Sequence, residues 1–102
     1  MRNYTASSSV VSGGSASVSI TSTVNGSNAG YTVSQYFPVG SENYHETFTV
    51  NGQSLTDSNS ISVSAGGNLS VNFGSISSGQ ARWLKLQQSG SPEFANLCFT
   101  FN

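Results

Sequence analysis

Charge is what this sequence has least of. Only 7% of its 102 residues are Asp, Glu, Lys or Arg, against ~25% in ordinary soluble domains. Three basic residues and a net charge of −1 neutralise too few phosphates for nucleic-acid binding by counterion release. No basic amphipathic helix is present to lie on a membrane. Solubility rests instead on Ser, Thr, Asn, Gln and Gly. Weak self-repulsion follows, so copies pack readily against one another or against a large polar assembly. An extracellular module with a hydroxyl-rich face is the alternative that composition leaves open.

Cysteine is nearly absent too. Cys98 is alone, which excludes an intrachain disulfide. Between Leu97 and Phe99 it reads as a buried small hydrophobe rather than a reactive thiol. One histidine and one cysteine do not complete a tetrahedral structural zinc site. No apolar run approaches a transmembrane helix. Residues 1–15, MRNYTASSSVVSGGS, lack an apolar stretch of signal-peptide length. The composition looks outward-facing, yet this stretch is no export segment. Three situations reconcile the two: a virion protein released by lysis, a spore-surface protein, or a piece of a longer secreted protein.

Helical periodicity is also missing, since no segment of ten residues combines a 3.6-residue period with helix formers. What is present is period-two alternation, the signature of half-buried strands. The clearest stretch is ISVSAGGNLSVNF, 61–73. Ile61, Val63 and Ala65 alternate with serines, and Leu69, Val71 and Phe73 alternate with Ser70 and Asn72. Gly66-Gly67-Asn68 supplies turn chemistry between them. A three-residue loop sets Ala65 against Leu69, Val63 against Val71 and Ile61 against Phe73, like against like. A hairpin with positive φ at Gly67 or Asn68 is therefore expected. If the two strands belong to different sheets, the stretch is an arch and that pairing fails.

The rest of the chain follows the same grammar. Residues 1–15 read as a flexible arm, with Tyr4, Val10 and Val11 as anchors onto a neighbouring copy. Residues 16–102 read as one domain. Alternation predicts strands over 16–24, 31–36, 46–50 and 53–56. Asn51-Gly52 is the strongest hairpin signal, and Leu55 faces inward. A strand over 81–87 places Leu84 and Leu86 inward and Trp83 and Lys85 outward, with a core Trp83 as the alternative. Leu97, Phe99 and Phe101 line the inner face of a last strand. About eight short strands with turns every 8–12 residues predict an all-β, antiparallel β-sandwich of jelly-roll or Ig-like type.

Catalytic chemistry finds few residues. His45 lies near Glu42 and Glu46, but no G-x-S-x-G elbow accompanies it. Paired carboxylates for glycoside hydrolysis would need two of Glu42, Glu46, Asp57 and Glu93 in one cleft. Asp57-Ser58-Asn59-Ser60 lacks the glycine and distal glutamate of a calcium loop. The N-x-S/T sequons at Asn3, Asn25 and Asn68 are what chance gives in so Asn- and Ser-rich a chain. No catalytic, metal or cofactor site is expected.

What remains is aromatic and amide. Trp83, Arg82 and Lys85, with Tyr36, Tyr44 and Tyr31, form the expected interaction patch, and Gln35 and Asn43 offer amides. Tyr, Trp and Arg are enriched at protein interfaces, while rings and amides also suit sugars. The leading expectation is a non-enzymatic structural protein of a large assembly: a phage virion component, capsid-decorating or tail- or fibre-associated. Its partners would be itself and other subunits, at a virion or other extracellular particle surface, with no nucleic acid or membrane. The alternative is a carbohydrate-binding or adhesive module.

Overall fold

The computed structural model describes residues 2–5, 9–41, 44–88 and 90–102. Among them there is no helix; the chain is all-β and its sheets pack as an antiparallel β-sandwich. The described residues form twelve strands in order: β1 (Arg2–Thr5), β2 (Ser9–Val11), β3 (Ser15–Val18), β4 (Thr21–Val24), β5 (Ser27–Asn28), β6 (Tyr31–Tyr36), β7 (Phe48–Val50), β8 (Gln53–Leu55), β9 (Ser60–Val63), β10 (Leu69–Asn72), β11 (Ala81–Gln87) and β12 (Ala95–Phe101).

One layer is the five-stranded sheet β2-β12-β11-β6-β9, and the other is the four-stranded sheet β3-β10-β7-β8. A small third sheet runs β1-β4-β5. Among the described residues every pairing is antiparallel except that of β2 with β12. The inner faces bury the alternating apolar sets. Val33, Leu84, Leu86, Leu97 and Phe99 from one sheet meet Val50, Leu55, Leu69 and Val71 from the other. Phe73 sits among them with ring centroids 4.7 Å from Phe48, 5.0 Å from Phe99 and 5.2 Å from Phe101.

The expected 61–73 hairpin is an arch instead. β9 pairs with β6 in the five-stranded sheet, while β10 pairs with β3 and β7 in the other. Ile61, Val63, Leu69, Val71 and Phe73 are buried as the alternation requires, and Ala65 is exposed. The positive φ falls on Gly66, at 78°, and the Gly67 N–H donates to Ser64 O at 2.9 Å. Like-with-like pairing does not separate the two solutions, because facing layers of a sandwich are also apolar against apolar. The Tyr31 hydroxyl donates to Gly67 O across 3.4 Å. Burial pushes that hydroxyl up to about 12, so it stays a neutral donor through the ordinary pH range.

The Asn-Gly turns behave as their chemistry demands. Asn25-Gly26 and Asn51-Gly52 both take positive φ, 52° and 83°, 50° and 79°, as two-residue turns of type I′ need. Asn51 does more than turn. Its Oδ1 accepts the Ser70 N–H at 2.8 Å and its amide nitrogen donates to Asn68 O at 3.2 Å, fastening the β7–β8 hairpin to β10.

The N-terminal segment also departs from expectation. β1 pairs with β4 and β2 lies parallel to β12, within this chain. Val11, expected as an anchor onto another copy, is buried in this chain's own core. The side chains of Tyr4 and Val10 lie outside what the structure describes. The expected strand 16–24 divides into β3 and β4, which belong to different sheets. Ala16, Val18, Ile20 and Ser22 all remain at least partly buried, so the alternation runs unbroken through the switch.

Candidate interaction face

The outer face of the five-stranded sheet is built by β6, β11 and β12. On β11 the inward set is Arg82, Leu84 and Leu86, and the outward set is Trp83, Lys85 and Gln87. Register places Trp83 between Tyr36 and Cys98, and Lys85 between Ser34 and Asn96. Directly opposed residues share a face. Tyr36, Trp83, Lys85 and Cys98 are all half-exposed. Phe94 continues the outward parity of Asn96 and Cys98 just before β12, and is 45% exposed. Its ring centroid lies 5.7 Å from that of Tyr36, tilted by 50°. The Lys85 ammonium stands 5.0 Å from the Phe94 centroid, within cation–π range. The described residues enclose no pocket, so this face offers area rather than a cleft.

Three expected members of the patch lie elsewhere. Tyr31 is buried beside the arch. Arg82 points to the opposite side of β11 from Trp83 and Lys85, because neighbouring residues on a strand face opposite ways. Its guanidinium makes a bidentate bond to Glu46, with Nε to Oε2 at 3.1 Å and Nη2 to Oε1 at 2.9 Å. It also donates to Ala81 O and Gln80 Oε1, and lies 4.0 Å from the Tyr44 ring centroid. Tyr44 is therefore committed to Arg82. Gln35 is likewise occupied, donating to the carbonyls of Glu46 and Leu55. Asn43 lies outside the described residues.

The Arg82–Glu46 pair is lopsided. The arginine side chain is 6% exposed and the glutamate 46%. Removing the glutamate strands a buried cation, whereas removing the arginine leaves a carboxylate that water reaches. Glu46→Ala is expected to cost about 2–3 kcal/mol. Arg82→Met, which keeps the buried stem and loses the ring contact to Tyr44, is expected to cost about 1 kcal/mol. Urea midpoints of the two variants check the order. Equal losses would mean that the guanidinium stays solvated.

His45 Nδ1 lies 3.0 Å from Asp57 Oδ2 and its ring stacks on Phe37 at 4.2 Å between centroids. This ties Phe37 and His45 to the turn after β8. Among the described residues no serine hydrogen-bonds to the His45 ring, whose polar partner is Asp57. Glu46 is engaged by Arg82 and Asp57 by His45, while Glu42 lies outside the described residues. Among the described residues no three of His, Cys, Asp and Glu come together as metal ligands.

Cys98 is half-exposed beside Trp83 rather than buried. Leu97 and Phe99 are buried because they share the parity that Cys98 does not. Sequence reasoning missed Phe94. Its signal was available, since counting back by twos from Thr100 and Cys98 reaches it, but Pro92-Glu93 reads as loop. Val39 was missed as well: it is 99% exposed on a turn closed by the Ser41 N–H and hydroxyl, both donating to Pro38 O.

The chain matches no protein-family model, and no curated protein or solved structure matches it at a significant level. The fold defines it as an antiparallel β-sandwich. Its functional reading rests on the outer face alone.

Proposed function

We propose that the protein is a non-enzymatic structural subunit of a large assembly, acting through repeated protein–protein contacts. The observation that carries this reading is the outer face on which Tyr36 lies opposite Trp83 and 5.7 Å from the Phe94 ring, all three at least partly exposed. Aromatic residues ringed by small polar ones are the composition of an interface core. Ser34, Asn96 and Gln87 supply that rim here. The low charge of the whole chain, 7%, suits dense packing of many copies. A particle surface is the fitting setting, and a phage virion decorated by or built from repeated subunits is the particular case proposed.

A sugar-binding role fits the geometry less well. Sugar rings lie on coplanar aromatic platforms or in grooves. Tyr36 and Phe94 are tilted by 50° and no groove is present among the described residues. The sandwich edges are poor docking strands, since β2, β3, β8 and β9 hold only three or four residues each. Assembly is therefore assigned to the face.

Trp83→Ala tests it. Light scattering across a concentration series should show self-association weakened about tenfold or more, as for a central interface tryptophan. Thermal stability should change little, because Trp83 is outside the core. Unfolding of the isolated variant would make Trp83 a structural residue and remove the face from the argument.

A further inference from the structure

We propose that Asn51 is a deamidation site, one that the fold holds back and whose product unfastens the β7–β8 hairpin from β10. The proposal concerns this hairpin and stands apart from the assembly reading.

The chemistry starts from the dipeptide. In Asn51-Gly52 the backbone nitrogen of Gly52 can attack Cγ of the Asn51 side chain. The Gly52 N–H gives its proton to base, the N–Cγ bond forms and the Cγ–Nδ2 bond breaks. Nδ2 leaves as ammonia and a succinimide ring remains. Water then opens the ring at either carbonyl, giving aspartate or isoaspartate. Water is the one reactant consumed. Glycine in the second place favours the attack, because no Cβ crowds the ring closure. Asn51 is exposed, so water and base reach it.

The structure opposes the first step. Asn51 is held to β10 and the residue before it at three points. Its backbone N–H donates to Ser70 O at 2.7 Å. Its Oδ1 accepts the Ser70 N–H at 2.8 Å, and its Nδ2 donates to Asn68 O at 3.2 Å. Both ends of the side-chain amide are thus engaged. Ring closure needs Cγ to swing onto the Gly52 nitrogen, which breaks those bonds. The reaction therefore waits on an opening of the hairpin. Such an opening is local, since β8 is a three-residue strand at the edge of its sheet.

The product does not fit the same seat. Aspartate keeps an oxygen for the Ser70 N–H. Its second oxygen meets Asn68 O, acceptor against acceptor, where Nδ2 donated. Isoaspartate carries the main chain through Cβ and lengthens the turn that closes Val50 against Gln53. Either product also adds one negative charge to a chain whose net charge is −1.

Peptide mapping by mass spectrometry of the full chain, aged in mildly alkaline buffer, tests the protection. In guanidinium chloride Asn51 and Asn25 should react at comparable rates, since each precedes a glycine. In the native chain Asn51 should react at least about tenfold more slowly than in the denaturant, because two side-chain hydrogen bonds must open first. Equal rates for Asn51 in the two conditions would overturn the proposal.

Asn51→Asp supplies the product directly. Aspartate tolerates the positive φ of 50° at this position, so the variant exchanges the donor for a charged acceptor and leaves the turn intact. Its urea midpoint should fall with an unchanged slope. A variant as stable as the parent would overturn the unfastening. A variant too unstable to fold gives the same answer as a lowered midpoint, and the rates are read on the parent chain alone.

Discussion

Phe73→Ala is expected to cost about 3–5 kcal/mol, the range for truncating a buried phenylalanine. The physical reason is position. Phe73 leaves the end of β10 and its ring meets Phe48 of β7, in the same sheet, and Phe99 and Phe101 of β12, in the opposite one. Centroids 4.7–5.2 Å apart with tilted or edge-on planes are the favourable aromatic geometry. Alanine removes three such contacts and leaves a void that two sheets must collapse to fill. A domain of this size holds about 5–15 kcal/mol in total. The loss is therefore a large share, visible as a fall of about 20 °C in melting temperature. The urea midpoint should drop with an unchanged slope. Phe73→Leu should cost less than half as much. A loss below about 1 kcal/mol for alanine would mean that the layers are held together elsewhere.

Much of this core was legible because alternation is a local property. Which side a residue faces follows from its neighbours two positions away. Leu84, Leu86, Leu97, Phe99 and Phe101 are buried as predicted, and Trp83 and Lys85 face outward. The same parity already separates Arg82 from Trp83 and Tyr31 from Tyr36. Grouping them in one patch followed residue type instead of face. Arg82 took an inward position because Glu46, 36 residues away, supplies a carboxylate there. No local pattern announces a partner at that distance.

Sheet membership was not legible at all. The division of 16–24 into β3 and β4 leaves the alternation unbroken, and the arch at 64–68, where Ala65 is exposed, still joins two strands whose odd-numbered residues are buried. A chain can pass from one sheet to another without changing which side of each strand is apolar. The N-terminal segment hid for a related reason. Two adjacent valines among serines and glycines carry too little periodicity to show a strand. The parallel pairing with β12 is set by tertiary context alone.

That segment carries the second large effect. Deleting residues 1–14 is expected to abolish cooperative folding. The deletion removes Val11 from the core, a loss of about 1.5–3 kcal/mol. It strips β2 from β12 and with it the bond from the Asn102 N–H to Val11 O at 3.1 Å. It also removes Gly14 O, which accepts the Phe73 N–H at 2.7 Å. An amide left without its acceptor in a packed region costs about 1–3 kcal/mol more. With the lost ladder bonds of β1 and β2, these losses reach the lower end of the roughly 5–15 kcal/mol that such a domain holds. Deleting only residues 1–5 removes β1 from the small sheet and spares Val11, so that product should remain folded. Far-ultraviolet circular dichroism and urea titration of the two truncations separate the cases. A residue 15–102 chain with an unchanged melting temperature would mean that β2 is dispensable to its own molecule. The segment would then be free to complete a neighbour's sheet, and strand donation would replace the aromatic face as the means of assembly. Loss of folding confines the N-terminus to its own chain and leaves the face of β6, β11 and β12 as the surface through which the proposed assembly would act.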